Sequence, residues 1–414
     1  MFKNIEGKIY KGSKILGNKI GLDLPYFIKN GFWVMMRQVV GSIGGLLLSV
    51  VFARLATQEV FGQYQFVLSI LSIVSILSIP GLNTALVRSV ARGYDGDYRK
   101  VVRISFLWSL LGIPVLLGVG GYYYLYQSHP LGIALMISSI FFPFFYAPNT
   151  WDSFLQGKSR FDVSAKYSSI QIAINTVATI GIIFFSRDNL IPIIIVYLIS
   201  YTFFNGYYFW KSSRYISNNK KSKDVVKYGW FLTKVGAAGL LIDYIDRIIL
   251  GVVNIKILAI YAVALNLIVA IKNVIKGLFA LTFPKFSKTN AKPSRKNWFV
   301  VMVFALSVTL AVYMSADNII ILLFTENYRE AIPLLKEGSF LIIFFMINSL
   351  FGFRTFSGKY KKKIYGVNLL APLITIVLSF LVLFVTKDLF LFVLAKLYLR
   401  QILNLSFFIF LKDL

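Results

Sequence analysis

Apolar residues run along this chain in long unbroken stretches separated by short polar segments. Neither the two-residue alternation of a half-buried strand nor the narrow apolar stripe of a soluble helix organises them. Residues 104–125, 191–210 and 298–315 carry no charged side chain at all. At 1.5 Å per residue, each such run is long enough to cross a bilayer core of ~30 Å. The pattern predicts helical spans near residues 32–53, 64–86, 104–126, 131–151, 167–186, 190–210, 229–253, 257–283, 298–316, 333–353, 364–385 and 389–411. About twelve spans of ~20 residues leave the 414-residue chain only short loops and a lead-in, with no room for a soluble domain.

Composition agrees. The apolar fraction is 57% and only 15% of residues are charged, with a mean hydropathy of +0.71, far outside the soluble range. A net charge of +27 would suggest nucleic acid in a soluble domain. Here the basic residues lie between the apolar runs, and their distribution gives a topology instead. One set of alternate segments holds the lead-in, Arg88 to Arg103, Lys158 to Lys166, Lys211 to Lys227, Lys285 to Lys296 and Arg354 to Lys363. The other set holds only Arg54, Arg187, Lys256, Arg329, Lys336 and Lys387. By the positive-inside rule the first set is cytoplasmic, which implies an even number of spans in the plasma (inner) membrane and both termini in the cytoplasm. Tyr122, Tyr123, Tyr124 and Tyr126 at one edge, and Tyr207, Tyr208 and Trp210 at the other, fit interfacial anchors.

The longest basic internal segment divides the spans six and six. The expected organisation is a basic cytoplasmic lead-in (1–30) without the apolar region of a cleavable signal, an N-terminal six-helix lobe (31–210), a cytoplasmic linker (211–228) and a C-terminal six-helix lobe (229–414). The fold class is therefore an all-α polytopic membrane protein, with two six-helix lobes around a central cavity.

The residues for common enzymatic chemistry are scarce. There is no cysteine, which excludes disulfides, thiol nucleophiles and thiolate metal sites. The single histidine, His129, sits at a loop edge beside Pro130. No phosphate-cradling glycine loop of the Walker type occurs, and no long outer loop gathers the carboxylates that a glycosyltransferase or polymerase would need. The expectation is a protein that is not an enzyme, with no catalytic residue, metal or cofactor.

Charges inside the spans carry the functional signal. A cation at mid-bilayer costs about 2.5–3.5 kcal/mol, so it must face protein or water. By position Lys272 and Arg400 lie deepest, Lys396 and Arg247 are intermediate, and Arg37 and Lys234 sit about two turns from the cytoplasmic face. Lys396, Arg400 and Asn404 recur at four-residue intervals, as do Lys272 and Lys276, so each set forms a stripe on one helix face. Asp243 and Asp246 are candidate coupling or structural acids, and Asp243 has the spacing to pair with Arg247. The six cations are the candidate lining of a cavity for an anion such as phosphate or pyrophosphate. Each has a bland alternative, a structural ion pair with a buried acid such as Asp243 or Asp152. Gly41, Gly44 and Gly45 of the first span are read as close-packing positions.

Several segments resemble the bacterial oligosaccharide flippases of polysaccharide biosynthesis. GSIGGLLLSVVFARLATQEVFG (41–62), followed by a second helix and the Gly81, Leu82, Ala85, Leu86 and Arg88 pattern, is similar to the opening of that family. Asp246 to Gly251 with Tyr261 and Ala262 resembles a signature of its second half. LLFTENYREAIPLL (322–335) matches another family segment, with Thr325 where glycine is usual. The resemblance implies the multidrug, oligosaccharidyl-lipid and polysaccharide exporter superfamily. It implies alternating access, and a cargo of oligosaccharide on undecaprenyl pyrophosphate moved from the cytoplasmic to the outer leaflet, with membrane lipids as surroundings. Glycosyltransferases and a polymerase of the same pathway are then the expected partners, and nucleic acid is not. A related exporter of lipid II or a small solute is the alternative.

The topology is testable, because the chain has no cysteine of its own. Lys220→Cys and Lys361→Cys are expected to react only with permeant thiol reagents in intact cells. Arg187→Cys and Lys387→Cys should react with impermeant ones; labelling at position 361 from outside would defeat the twelve-span topology.

Overall fold

The computed structural model describes residues 24–289, 295–357 and 366–410, with side chains described over 31–275, 299–349 and 366–409. These residues form helices without a strand among them. They make twelve passes, beginning with Leu24–Leu55, and the helix thus already includes residues of the expected lead-in. Eleven passes are long and apolar enough to cross a membrane. The seventh, Val225–Val253, is not counted with them because Lys234, Asp243, Asp246 and Arg247 interrupt its apolar surface.

The largest departures from the predicted spans occur where the backbone breaks. The second pass is not one helix over 64–86. It runs from Gln58 to Val74 and a 3-10 turn at Ser75–Ser78, then resumes as Gly81–Ala91. Ile79 takes a positive φ of 56°, and Pro80 has no N–H to continue the hydrogen-bond ladder. The fourth pass similarly changes at Pro148, from His129–Tyr146 to Trp151–Gly157. His129 opens that pass and lies edge-on to Tyr124.

Burial ranks the passes. In the second, 67% of the apolar window is buried, and in the eighth (Ile255–Thr289) 56%, against 22% in the ninth (Arg295–Phe324) and the eleventh (Ala371–Thr386). Leu258 to Leu265 form an unbroken buried run. The second, eighth and tenth passes (56% for Ala331–Ser349) are therefore the most enclosed, and the ninth, eleventh and twelfth (17% for Leu389–Ile409) present most of their side chains outward as a lipid-facing helix does. Glycine lets the halves approach at two points on the second pass. A methyl on Gly62 would strike the Ile255 carbonyl, and one on Gly81 would strike the Gly229 carbonyl and Thr233. The Gly81 N–H donates to Thr233 Oγ1 at 3.0 Å, fixing the second contact.

At the basic end, the turn between the second and third passes holds the linker. Asp95 accepts hydrogen bonds from Ser217 N (2.8 Å), Ser217 Oγ (2.6 Å) and Lys158 Nζ (2.9 Å). Asp97, fully buried, accepts from Ser89 Oγ and from Ser222 N. Gly96 N donates to Lys220 O at 3.0 Å. Burial works to raise the Asp95 carboxyl, but the Ser217 and Lys158 hydrogen bonds and the Lys158 charge outweigh it and hold it below its ordinary value. Its contribution is therefore present above the unfolded carboxylate pKa of ~3.9 and is lost as pH falls through the lower folded value.

Thr325 carries a positive φ of 77°. This conformation is easy for glycine and strained for a β-branched side chain, which accounts for the usual glycine at that position in the resembling family.

Two outcomes follow from these contacts. Asp95→Asn and Asp97→Asn together are expected to speed tryptic cleavage at Lys220 and Lys221 about tenfold at neutral pH, since hydrogen bonds to charged groups contribute ~1.5–3 kcal/mol. Thr325→Gly is expected to stabilise the fold by about 1–3 kcal/mol, read as a higher midpoint of thermal unfolding in detergent.

Candidate functional site

The six candidate cations do not share one environment. Arg37, on the first pass, donates through Nη1 to Asp152 Oδ2 at 2.8 Å, and the same carboxylate accepts from Ser164 Oγ and from Gln156 Nε2 at 2.9 Å. The pair joins the first, fourth and fifth passes. Lys396 is likewise not a free cavity cation. Its ammonium donates to Asp246 Oδ2 at 2.9 Å, and Tyr261 OH donates to the same oxygen. The pair is buried, with side chains 6% and 0% exposed. The apolar surroundings explain the correction, because a buried carboxylate requires a donor and Lys396 reaches it across the seventh, eighth and twelfth passes. Asp246 thereby joins the seventh, eighth and twelfth passes.

The expected pairing of Asp243 with Arg247 does not form among the described residues. Asp243 is exposed and close enough to Arg400 to act on it electrostatically. Arg400 lies beside Gly239 and donates to the Val367 carbonyl at 3.4 Å. Arg247 lies over the Tyr244 ring at 5.2 Å, and its buried Nε has no hydrogen-bond partner. Lys272 lies over the Phe345 ring at 5.1 Å and lines a small cavity of about 70 Å³ within the second half. Lys234 is exposed, with no ion-pair partner among the described residues. The stripe partner Lys276 has its side chain outside the described region, and Asn404 Oδ1 is buried without a hydrogen bond. Arg247 and Arg400 thus remain as cationic groups of the second half that no carboxylate holds in a direct ion pair among the described residues.

A second feature was not singled out from the sequence. A chamber of about 310 Å³ opens between the first, second, fifth and sixth passes and the eighth. Its polar groups are uncharged: Ser42, Ser49, Gln65, Asn175, Asn266 and Asn273, with the rings of Tyr64, Tyr197 and Tyr201 beside them. Gly41, Gly44 and Gly45 reach it too. Gly44 packs tightly on Ile172 and Thr176, as a close-packing glycine should, whereas Gly45 faces open space. Asn266 Nδ2 donates to Ser49 Oγ at 2.8 Å and so ties the eighth pass to the first. The signal available in the sequence was amides within apolar runs, which are costly there unless they have a partner or a ligand.

The end of the chamber away from the basic loops is shut. Phe52 and Phe61 stack at 5.0 Å. Beyond them Arg54 Nε donates to Leu323 O at 2.9 Å, and Gln58 Nε2 to Asn327 O at 2.6 Å. Two side chains from the first half thereby hold backbone of the second half.

Known proteins agree with this architecture. A MATE transporter solved in a straight conformation superposes with a TM-score of 0.67 over 93% of this chain and 94% of that one, at 12% identity. A MOP superfamily transporter from Pyrococcus furiosus, described as having a binding pocket of reversed polarity, gives 0.61 over 93% of each chain at 13% identity. A multidrug resistance MATE family transporter in an inward-facing conformation gives 0.62, covering 92% and 93%, at 14% identity. At such identities the likeness is one of fold, and that fold has two six-helix lobes. No curated protein sequence is significantly similar to the chain. The family model described as polysaccharide biosynthesis protein, however, matches residues 27–290, well over half of the sequence. The chain therefore belongs to the polysaccharide biosynthesis protein family, as a multi-pass membrane protein with the fold of these transporters.

Proposed function

We propose that this protein flips oligosaccharide linked to undecaprenyl pyrophosphate from the cytoplasmic to the outer leaflet of the plasma membrane, by alternating access between its lobes, for surface polysaccharide assembly. The observation that supports this most is the imbalance of charge on the seventh, eighth and twelfth passes. Lys234, Arg247, Lys272, Lys396 and Arg400 stand against Asp243 and Asp246, an excess of cations over acids on these three passes, and Asp246 is already paired with Lys396. A surplus of donors in an apolar setting suits a polyanionic group, and guanidinium pairs with pyrophosphate oxygens through charge-assisted hydrogen bonds. Cationic cargo would be repelled by the same groups. The basic loops gathered at one end fit a cytoplasmic face, with both termini there. The polyprenyl tail would stay in the bilayer while the headgroup passes between the lobes. Asp243, exposed beside Arg400, is the acid left for ion coupling once Asp246 is committed to Lys396 and Tyr261.

Two kinds of variant separate cargo contact from structural pairing. Lys272→Gln and Arg400→Gln should each weaken binding of undecaprenyl-pyrophosphate oligosaccharide by about 1.5–3 kcal/mol, roughly ten- to hundredfold, with near-normal thermal stability in detergent. Lost stability with normal transport per folded molecule would defeat the cavity role. Lys396→Gln should do the opposite, lowering stability by about 3–5 kcal/mol because Asp246 is left buried and unpaired. Asp246→Asn in the same chain should restore much of that loss. Reconstituted in liposomes, the parent should move the lipid without consuming ATP, and formation of any new glycosidic bond would place it among enzymes instead.

A further inference from the structure

The uncharged chamber is chemically unlike the cationic surface, yet the two adjoin. Val269 borders both the chamber and the small cavity that contains Lys272, while Asn273, the next residue after Lys272, lines the chamber. Successive residues on a helix point about 100° apart, so the eighth pass separates a cationic side from a neutral one.

Several features of the chamber point to a ligand. No charged side chain lines it, so an ion would enter without compensation. It is not an apolar pocket either. The Gln65 side chain lines it and makes no hydrogen bond among the described residues. A buried polar group left unmade costs about 1–3 kcal/mol, so a ligand that completes these bonds is favoured over an apolar one. Amides and hydroxyls both donate and accept, as a sugar's hydroxyls require. Tyr197 and Tyr201, with ring centroids 4.9 Å apart, add aromatic surface of the kind that takes the C–H face of a pyranose. The volume lies at the low end of small-molecule sites, with room for about one or two pyranose rings but not for a whole oligosaccharide.

We propose that this chamber binds neutral sugar rings of the cargo, through the amides of Gln65 and Asn273 and the faces of Tyr197 and Tyr201. This inference rests on the cargo class argued above and divides the headgroup in two: pyrophosphate on the cationic side of the eighth pass, sugar on the neutral side. Asn266, bonded across to Ser49, sits where the two lobes meet within the chamber, so a bound sugar touches both lobes at once.

The test uses the full chain purified in detergent and two probes. One is lipid-linked oligosaccharide extracted from the cells that make the protein; the other is undecaprenyl pyrophosphate without sugar. The parent should bind the glycosylated lipid at least tenfold more tightly. Gln65→Leu and Asn273→Leu should each remove about tenfold of affinity for the glycosylated lipid and change that for the sugarless lipid less than twofold. Tyr201→Phe, which keeps the ring, should retain most of the sugar-dependent affinity, and Tyr201→Leu should lose it. Equal affinity of the parent for both probes, or equal losses on both in the amide variants, would overturn the sugar site and leave the pyrophosphate reading standing. Failure of the parent to bind either lipid would overturn the cargo class itself, and the sugar site with it.

Discussion

A charged or hydrogen-bonding group inside a membrane bundle has no water to fall back on, and this constraint explains most of the contacts that hold the protein together. Asp246 meets it by taking donors from two other passes, Tyr261 and Lys396, and in doing so pins the seventh, eighth and twelfth passes to one another. Asp152 does the same for the first, fourth and fifth with Arg37 and Ser164. Asn205 shows the neutral version: its amide oxygen accepts from Gln171 Nε2 at 2.8 Å, and its nitrogen donates to the Phe145 carbonyl at 2.7 Å. Such nodes set which helices are neighbours, while apolar packing sets only how closely they lie.

The same constraint leaves some groups without a partner. Among the described residues Arg247 Nε and Ser42 Oγ are buried with no hydrogen bond, and so are Ser169 Oγ, Thr179 Oγ1 and Thr202 Oγ1, which line neither cavity. Lys234 on the seventh pass has no ion-pair partner among the described residues, and Gln65 lines the neutral chamber.

The chamber is shut at one end by side chains that cross between halves, Arg54 on Leu323 and Gln58 on Asn327. At the other end the linker is bound to the half that precedes it, through Asp95, Gly96 and Asp97. The ties at both ends include hydrogen bonds to backbone; those of Arg54 and Gln58 are exposed, whereas Asp95 and Asp97 are buried.

The all-helical class and the number of passes were legible in the sequence because each depends on local composition: twenty apolar residues must cross the bilayer wherever they occur. The resemblance carried by residues 41–62 and 246–262 likewise needed no coordinates. Local pattern could show that Lys396 and Arg37 lie in or near the membrane, but not that each has an acid within reach, since Asp246 is 150 residues from Lys396 and Asp152 is 115 from Arg37. Four-residue spacing favoured Asp243 with Arg247, and the tertiary fold instead brought Asp243 toward Arg400 on another helix. The chamber was invisible for the same reason. Gln65, Asn175 and Asn273 are unremarkable one by one, and only the packing of five helices turns their amides toward one space and leaves them there without charge.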